Sequence, residues 1–271
     1  MPETPGYFPT PDGLSLYGVY HSPEQPSALL KPAVAIAPAL FEERKSAYAP
    51  LTALARQLCR QGHAVLRFDY RGSGESGGEP GARRWAHLAA DLGAACAALK
   101  KLSGAEQVAA VGLRLGATLA LREAANLNLS KVAALAPVLQ GAAQVRLWKM
   151  RSKIRSELTA GSQDSGLNNQ ASALLDFDGF DVAPGFFDDV AALDLALLPA
   201  LPCPSLLVQL SHRAEPAPES AALARTLGPS CNLAALRLEP FWDRLDDVDT
   251  RALNEAVAQF LISDCGMRIA D

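Results

Sequence analysis

Between Val108 and Arg122 the chain passes from a buried-strand pattern through two closely spaced glycines into a helical pattern, and few folds accommodate that run. Ala109-Ala110-Val111 is short and apolar, Gly112-Leu113-Arg114-Leu115-Gly116 follows, and Ala117 to Arg122 has helical character. The two glycines let a sharp turn close without side-chain clash. Strand, tight turn and helix in that order form the context in which a G-x-S-x-G motif presents a serine hydroxyl. Arg114 occupies the central position here. Its guanidinium stays protonated at any usable pH and has no attacking oxygen. The turn is legible, and the usual attacking group is missing from it.

Strand and helix patterns alternate along most of the chain. Leu14 to Tyr20 alternates as an antiparallel strand at a sheet edge does. Ala33 to Ala37 and Ala64 to Phe68 are short apolar runs between turn residues, as buried parallel strands are. Helical spacing is expected over Ala49–Gln61 and Leu88–Leu102, the second ended by Ser103-Gly104. A strand from Val132 to Ala136 follows the glycine turn and its helix. After an interruption, the order resumes with a strand Pro204–Leu210, a helix Glu219–Leu227, a strand Leu233–Leu238 and a helix from about Thr250 to Phe260. Alternation of this kind predicts an α/β fold: a mostly parallel central sheet flanked by helices on both faces. The interruption, residues 142–198, holds a basic helical segment (Val145 to Leu158), a polar loop and an aromatic-acidic stretch. We expect a core of residues 1–141 and 199–271, with 142–198 inserted as a helical lid.

Composition narrows the partners. A length of 271 residues with 49% apolar content suits one large domain, or one with an inserted lid. The net charge of −4 offers no basic footprint for nucleic acid. Five scattered cysteines, without C-x-x-C or metal-like spacing, suggest reduced thiols in the cytosol, no metal and no cofactor. Met1 to Gly6 lacks the basic and apolar regions of a secretion signal, and no stretch reaches the roughly 18 apolar residues of a membrane span. A cytoplasmic chain with a small-molecule ligand, without nucleic-acid or membrane partners, is the expectation.

Several stretches carry a resemblance: Leu40-Phe41-Glu42-Glu43-Arg44-Lys45-Ser46, Phe68-Asp69-Tyr70-Arg71-Gly72-Ser73-Gly74-Glu75-Ser76-Gly77, the Gly112–Gly116 turn, and Glu239-Pro240-Phe241-Trp242. Together they resemble the α/β-hydrolase superfamily near its serine aminopeptidase-like group, and most nearly the exosortase A system-associated hydrolase 2 family. The resemblance spans most of residues 30 to 260 and is weakest through the insertion. It implies an α/β-hydrolase fold and an association with exopolysaccharide and protein-sorting systems. It supplies no reaction.

A working elbow needs serine, an acid and a histidine, in that chain order. Arg114 holds the first position. The acid should follow the Leu206–Leu210 strand, where Ala214 aligns and Glu215 stands beside it. The histidine should follow Leu233–Leu238, and Phe241-Trp242 stands there instead. None of His21, His63, His87 and His212 falls after that strand. Loss of serine or histidine costs a triad about 10⁶ in kcat, leaving roughly 10³–10⁴ over water from the oxyanion hole and binding. Ordinary serine hydrolysis is therefore not expected.

Two readings stay open. In the first, Arg114 and the old oxyanion hole (Leu115 N–H with a backbone N–H from Ala39 to Phe41, where Leu40 and Phe41 stand) bind an anionic small molecule, a saccharide or a partner. Arg114 could also, or instead, pair internally with Glu42 or Glu43, because an unpaired buried guanidinium is costly. In the second, Arg114 stabilises an oxyanion in ester or acyl hydrolysis, and Glu42, Glu43 or Glu215 acts as base. Trp242 either fills the emptied pocket or stacks on a ring ligand. Asp69 reads as part of a hydrogen-bonded turn, His212 as a base without a partner, and Gly72–Gly78 lacks the Lys-Ser/Thr of a phosphate loop. The basic run Arg146, Lys149, Arg151, Lys153, Arg155 is a solvated face or an attractor of anions.

Overall fold

The computed structural model describes residues 2–24, 31–159, 174–177, 179–213, 215–244, 246 and 248–263, with the side chains of 155–159 left aside. Eight strands form one sheet in the order β1 (Glu3–Pro9), β2 (Ser15–His21), β4 (Val65–Phe68), β3 (Ala33–Ala37), β5 (Val108–Leu113), β6 (Val132–Leu135), β9 (Ser205–Ser211), β10 (Cys231–Arg237). From β4 to β10 every pairing is parallel, and β2 runs antiparallel to both β4 and β1. β3, β5 and β6 are buried along their whole length, which explains why they carry no polar side chain.

Helices cover both faces. α1 (Phe41–Arg60) and α7 (Arg251–Ile262) pack on one side, around Leu54, Leu58, Val257 and Leu261. α2 (Trp85–Ser103), α3 (Leu115–Glu123) and α6 (Pro218–Leu227) pack on the other, around Leu92, Leu99, Leu119 and Leu223. Between β6 and β9 lie α4 (Gly141–Thr159), the two-stranded β7 (Leu175–Phe177) and β8 (Phe180–Val182), and α5 (Pro184–Ala191). The polar loop of this insertion, Gly161 to Gly166, lies outside the described residues.

Two expectations change. The strand read at Leu14–Tyr20 is not the sheet edge: β1 pairs outside it along its full length. Its prolines, Pro5 and Pro9, are tolerated because one side of an edge strand's ladder is unpaired. The helix expected from Ala49 begins at Phe41, eight positions earlier, and runs through Pro50. Cys59, Cys96, Cys203 and Cys231 form no disulfide among the described residues, and Cys265 lies outside them. Among the described residues no helix is long and apolar enough to cross a membrane.

Candidate ligand site at the arginine elbow

β5 hands over to α3 at Arg114, whose backbone takes φ 56° and ψ −120°. A non-glycine residue with positive φ stores local strain, and the surrounding contacts hold it there. The flanking glycines make the approach possible. A Cβ on Gly112 would lie 2.5 Å from Ala117 Cα, and one on Gly116 would lie 2.8 Å from the Ala37 carbonyl carbon. Arg114 N–H donates to Leu135 O at 3.0 Å, and its own carbonyl accepts from Ala117 N at 3.0 Å and Thr118 N at 3.1 Å. The Leu115 N–H lies in the first turn of α3, where a helix supplies no carbonyl partner.

The side chain is engaged on all three nitrogens. Nε donates to Glu43 Oε1 at 3.2 Å, Nη1 to Ala136 O at 3.1 Å, and Nη2 to Gln144 Oε1 at 2.9 Å. Ala136 itself has φ 43°, another left-handed residue at the sheet's carboxyl edge. The guanidinium carbon sits 4.9 Å from the Trp242 ring centre, within cation–π range. Arg114 thus joins the end of β6, α1, α4 and the turn after β10.

Glu43 is buried, and burial raises its carboxyl above the ordinary range while the Arg114 charge partly pulls it back. Nearby, Arg151 donates to both oxygens of Asp243, at 2.9 and 3.2 Å. Phe241 and Trp242, in a 3₁₀ turn, are buried in the core cluster on the α1 side. Trp242 therefore fills space beside the Arg114 guanidinium.

Of the expected site residues, Arg114, Glu43 and Trp242 come together. Glu42 does not join them: one position round the helix, it pairs with Lys45 at 2.8 Å on the half-exposed side. Glu215 is exposed on the loop between β9 and α6, where its backbone carbonyl accepts from Gln209 Nε2 at 3.3 Å. Leu40 is buried and extended, and Phe41 has φ 56°. The Phe41 ring packs edge-on to Trp148, Phe177 and Phe180 at 5.2–5.4 Å. Asp69 accepts from Arg44 Nη2 at 2.6 Å, and its carbonyl accepts from Ser76 Oγ at 2.6 Å, which is the hydrogen-bonded turn expected of it. His212 is exposed. Among the described residues no serine hydroxyl is hydrogen-bonded to a histidine, and no group of His, Cys, Asp or Glu is arranged to hold a metal ion.

Gln144 was not singled out in the sequence. It lies in the first turns of α4, buried, with its Oε1 committed to Arg114 and its Nε2 without a partner among the described residues. Beside it opens a pocket of about 600 Å³, bounded by Arg114 and Gln144 at one end. Val138, Leu139, Leu147, Leu195 and Leu223 form its walls, with Asp194 and Glu219 also contributing. That size lies within the range of small-molecule sites.

The fold is that of α/β hydrolases. The family described as "Serine aminopeptidase, S33" matches residues 41–173. Est1E from Butyrivibrio proteoclasticus, solved with ferulic acid bound, is 19% identical with a TM-score of 0.67, covering 95% of this chain and 98% of that one. The esterase Pf2001 from Pyrococcus furiosus is 15% identical with a TM-score of 0.66, covering 96% and 90%. The α/β hydrolase GrgF from Penicillium sp. sh18 is 20% identical with a TM-score of 0.67, covering 96% and 98%. Comparison with curated proteins finds no match.

Proposed function

We propose that this chain is a binding member of the serine aminopeptidase-like α/β hydrolases, with affinity to the exosortase A system-associated group, that holds a small molecule without triad hydrolysis. The observation that carries the reading is the Arg114 guanidinium at the nucleophile position, hydrogen-bonded through every nitrogen to the protein and covered by Trp242. The adjoining pocket, apolar-walled with polar groups at Arg114 and Gln144, supports an amphipathic ligand whose acceptor group faces the Gln144 end. An anionic head group or a saccharide remains within this proposal. Glu43 already opposes the Arg114 charge, and Asp194 and Glu219 line the same pocket. An uncharged carbonyl acceptor therefore suits the site better than a second carboxylate, which would bring an unmatched charge into a half-dry space. A cytoplasmic location and the absence of nucleic-acid and membrane partners belong to the same proposal.

The test combines a serine-directed fluorophosphonate, p-nitrophenyl esters and thermal stabilisation by aryl and acyl amides and acids. No labelling, no ester turnover and stabilisation by the amides are expected. Covalent labelling of a serine near the elbow would overturn the reading. Arg114→Ser should restore no activity, because Trp242 stands where the base is needed.

One observation favours a second reading, hydrolysis by rearranged chemistry. Glu43 is a buried carboxyl raised by desolvation and held beside a cation, as a tuned base would be. Slow ester turnover by the wild type, abolished in Glu43→Gln and kept in Glu42→Gln, would select it.

A further inference from the structure

A second cleft, of about 310 Å³, lies between α1 and the sheet and shares no lining residue with the elbow pocket. Its floor follows from strand register. Arg67 on β4 stands between Val19 of β2 and Ile36 of β3, so these side chains form one row on one face of the sheet. Two residues further along the same face lies Asp69, whose N–H donates to Tyr17 O at 2.9 Å. The roof is α1, where Arg44 and Tyr48 are one turn apart and both line the cleft.

An arginine in a row that otherwise packs Val19 and Ile36 against a helix is a poor choice for packing alone. Arg67 has two direct contacts among the described residues, with a longer-range attraction to Glu3: Nε donates to His21 Nε2 at 3.1 Å, and the guanidinium carbon lies 5.1 Å from the Tyr48 ring centre. Its terminal nitrogens are hydrogen-bonded to no described group, although the residue is partly buried. His21 accepts as the neutral imidazole, since burial first and the Arg67 charge second lower it to about 4. Arg44, by contrast, is paired with Asp69 at 2.6 Å. Glu75 adds a second carboxylate to the lining. Two guanidinium groups thus face two carboxylates, and Tyr17 and Tyr48 stand among them.

We propose that this cleft binds an uncharged sugar ring, a hexose unit free or at the end of a glycan. Balanced charge gives an anion no net attraction, whereas each sugar hydroxyl both donates and accepts and so suits guanidinium and carboxylate neighbours together. Tyrosine offers an apolar ring face beside a polar tip, matching the mixed faces of a pyranose. The volume lies at the small end of small-molecule sites, the scale of one ring rather than an oligomer.

The test is calorimetry and saturation-transfer NMR on the full chain with methyl glucoside, methyl galactoside, glucuronate and inorganic phosphate. Binding of a neutral glycoside is expected, weakened about tenfold or more in Arg67→Gln and in the exposed Tyr48→Ala. Ala222→Trp, which fills the elbow pocket, should leave it unchanged. Circular dichroism on each variant separates loss of binding from loss of fold. No glycoside binding by the wild type, binding of glucuronate or phosphate alone, or abolition by Ala222→Trp would each overturn the proposal. None of these outcomes bears on whether the elbow hydrolyses esters.

Discussion

The elbow and the α1 cleft each hold an arginine on a buried layer of the same sheet, and the two are held in opposite ways. Arg114 spends every nitrogen on the protein, against Glu43, Ala136 O and Gln144. Arg67 gives one nitrogen to His21 and one ring contact to Tyr48. Arg114 commits three of its five N–H donors to the protein and Arg67 commits one, so Arg67 keeps more of its donors for a ligand. Position at the elbow is thus a weaker guide to ligand contact than the count of donors still uncommitted.

The largest expected effect concerns the frame that makes the elbow possible. Gly112→Ala should cost more than about 4 kcal/mol, because its Cβ meets Ala117 backbone at 2.5 Å with no flexible atom to yield. Yield of folded protein and urea denaturation measure it. Normal stability would mean that the bend is looser than described.

Next comes the contrast itself. Arg114→Ala should destabilise by about 3–5 kcal/mol, leaving Glu43 buried without its partner. The double variant Arg114→Met/Glu43→Leu should recover much of that loss, since an apolar pair replaces a desolvated ionic one. Equal losses in the single and double variants would show that the backbone, rather than the ion pair, carries the effect.

Acid should act on the α1 cleft. His21 is held neutral, lowered from 6.5 to about 4, so the unfolded chain binds more protons across that interval. Stability should therefore fall as pH drops from about 6.5 toward 4, by on the order of 2–3 kcal/mol from His21, and His21→Gln should reduce the decline to the part owed to His63, which burial lowers in the same direction. The raised Glu43 acts in the opposite direction, favouring the fold as pH falls, so it cannot produce that loss. Thermal melts across the interval, wild type against variant, decide the point.

The smallest effect sharpens the comparison. Arg67→Met should cost about 1 kcal/mol or less, the scale of one cation–π contact at a partly exposed site. A loss matching that of Arg114→Ala would place Arg67 in the scaffold too.

The elbow was legible in the sequence because strand, glycines and helix are all local signals, and they sufficed for the fold. The choice between Glu42 and Glu43 was not, because it depends on where α1 begins. Once the helix starts at Phe41, Glu43 falls in phase with Ala47, Leu51 and Leu54, and Glu42 falls outside it. Gln144 gave no signal, since its meaning comes from a guanidinium thirty positions away. Nor could Arg67 be singled out: its interest lies in the register of β2, β4 and β3.

The bond between Arg114 and Gln144 restrains the insertion between β6 and β9. α4 is fastened at its root, with Gly141 N–H on Leu193 O at 2.8 Å and Gln144 on the elbow at 2.9 Å. A flap that swings over a cleft requires a loose hinge, and this helix is riveted at the end where the hinge would have to lie. The opposite flank of the 600 Å³ pocket is built from α6, through Glu219, Ala222, Leu223 and Thr226.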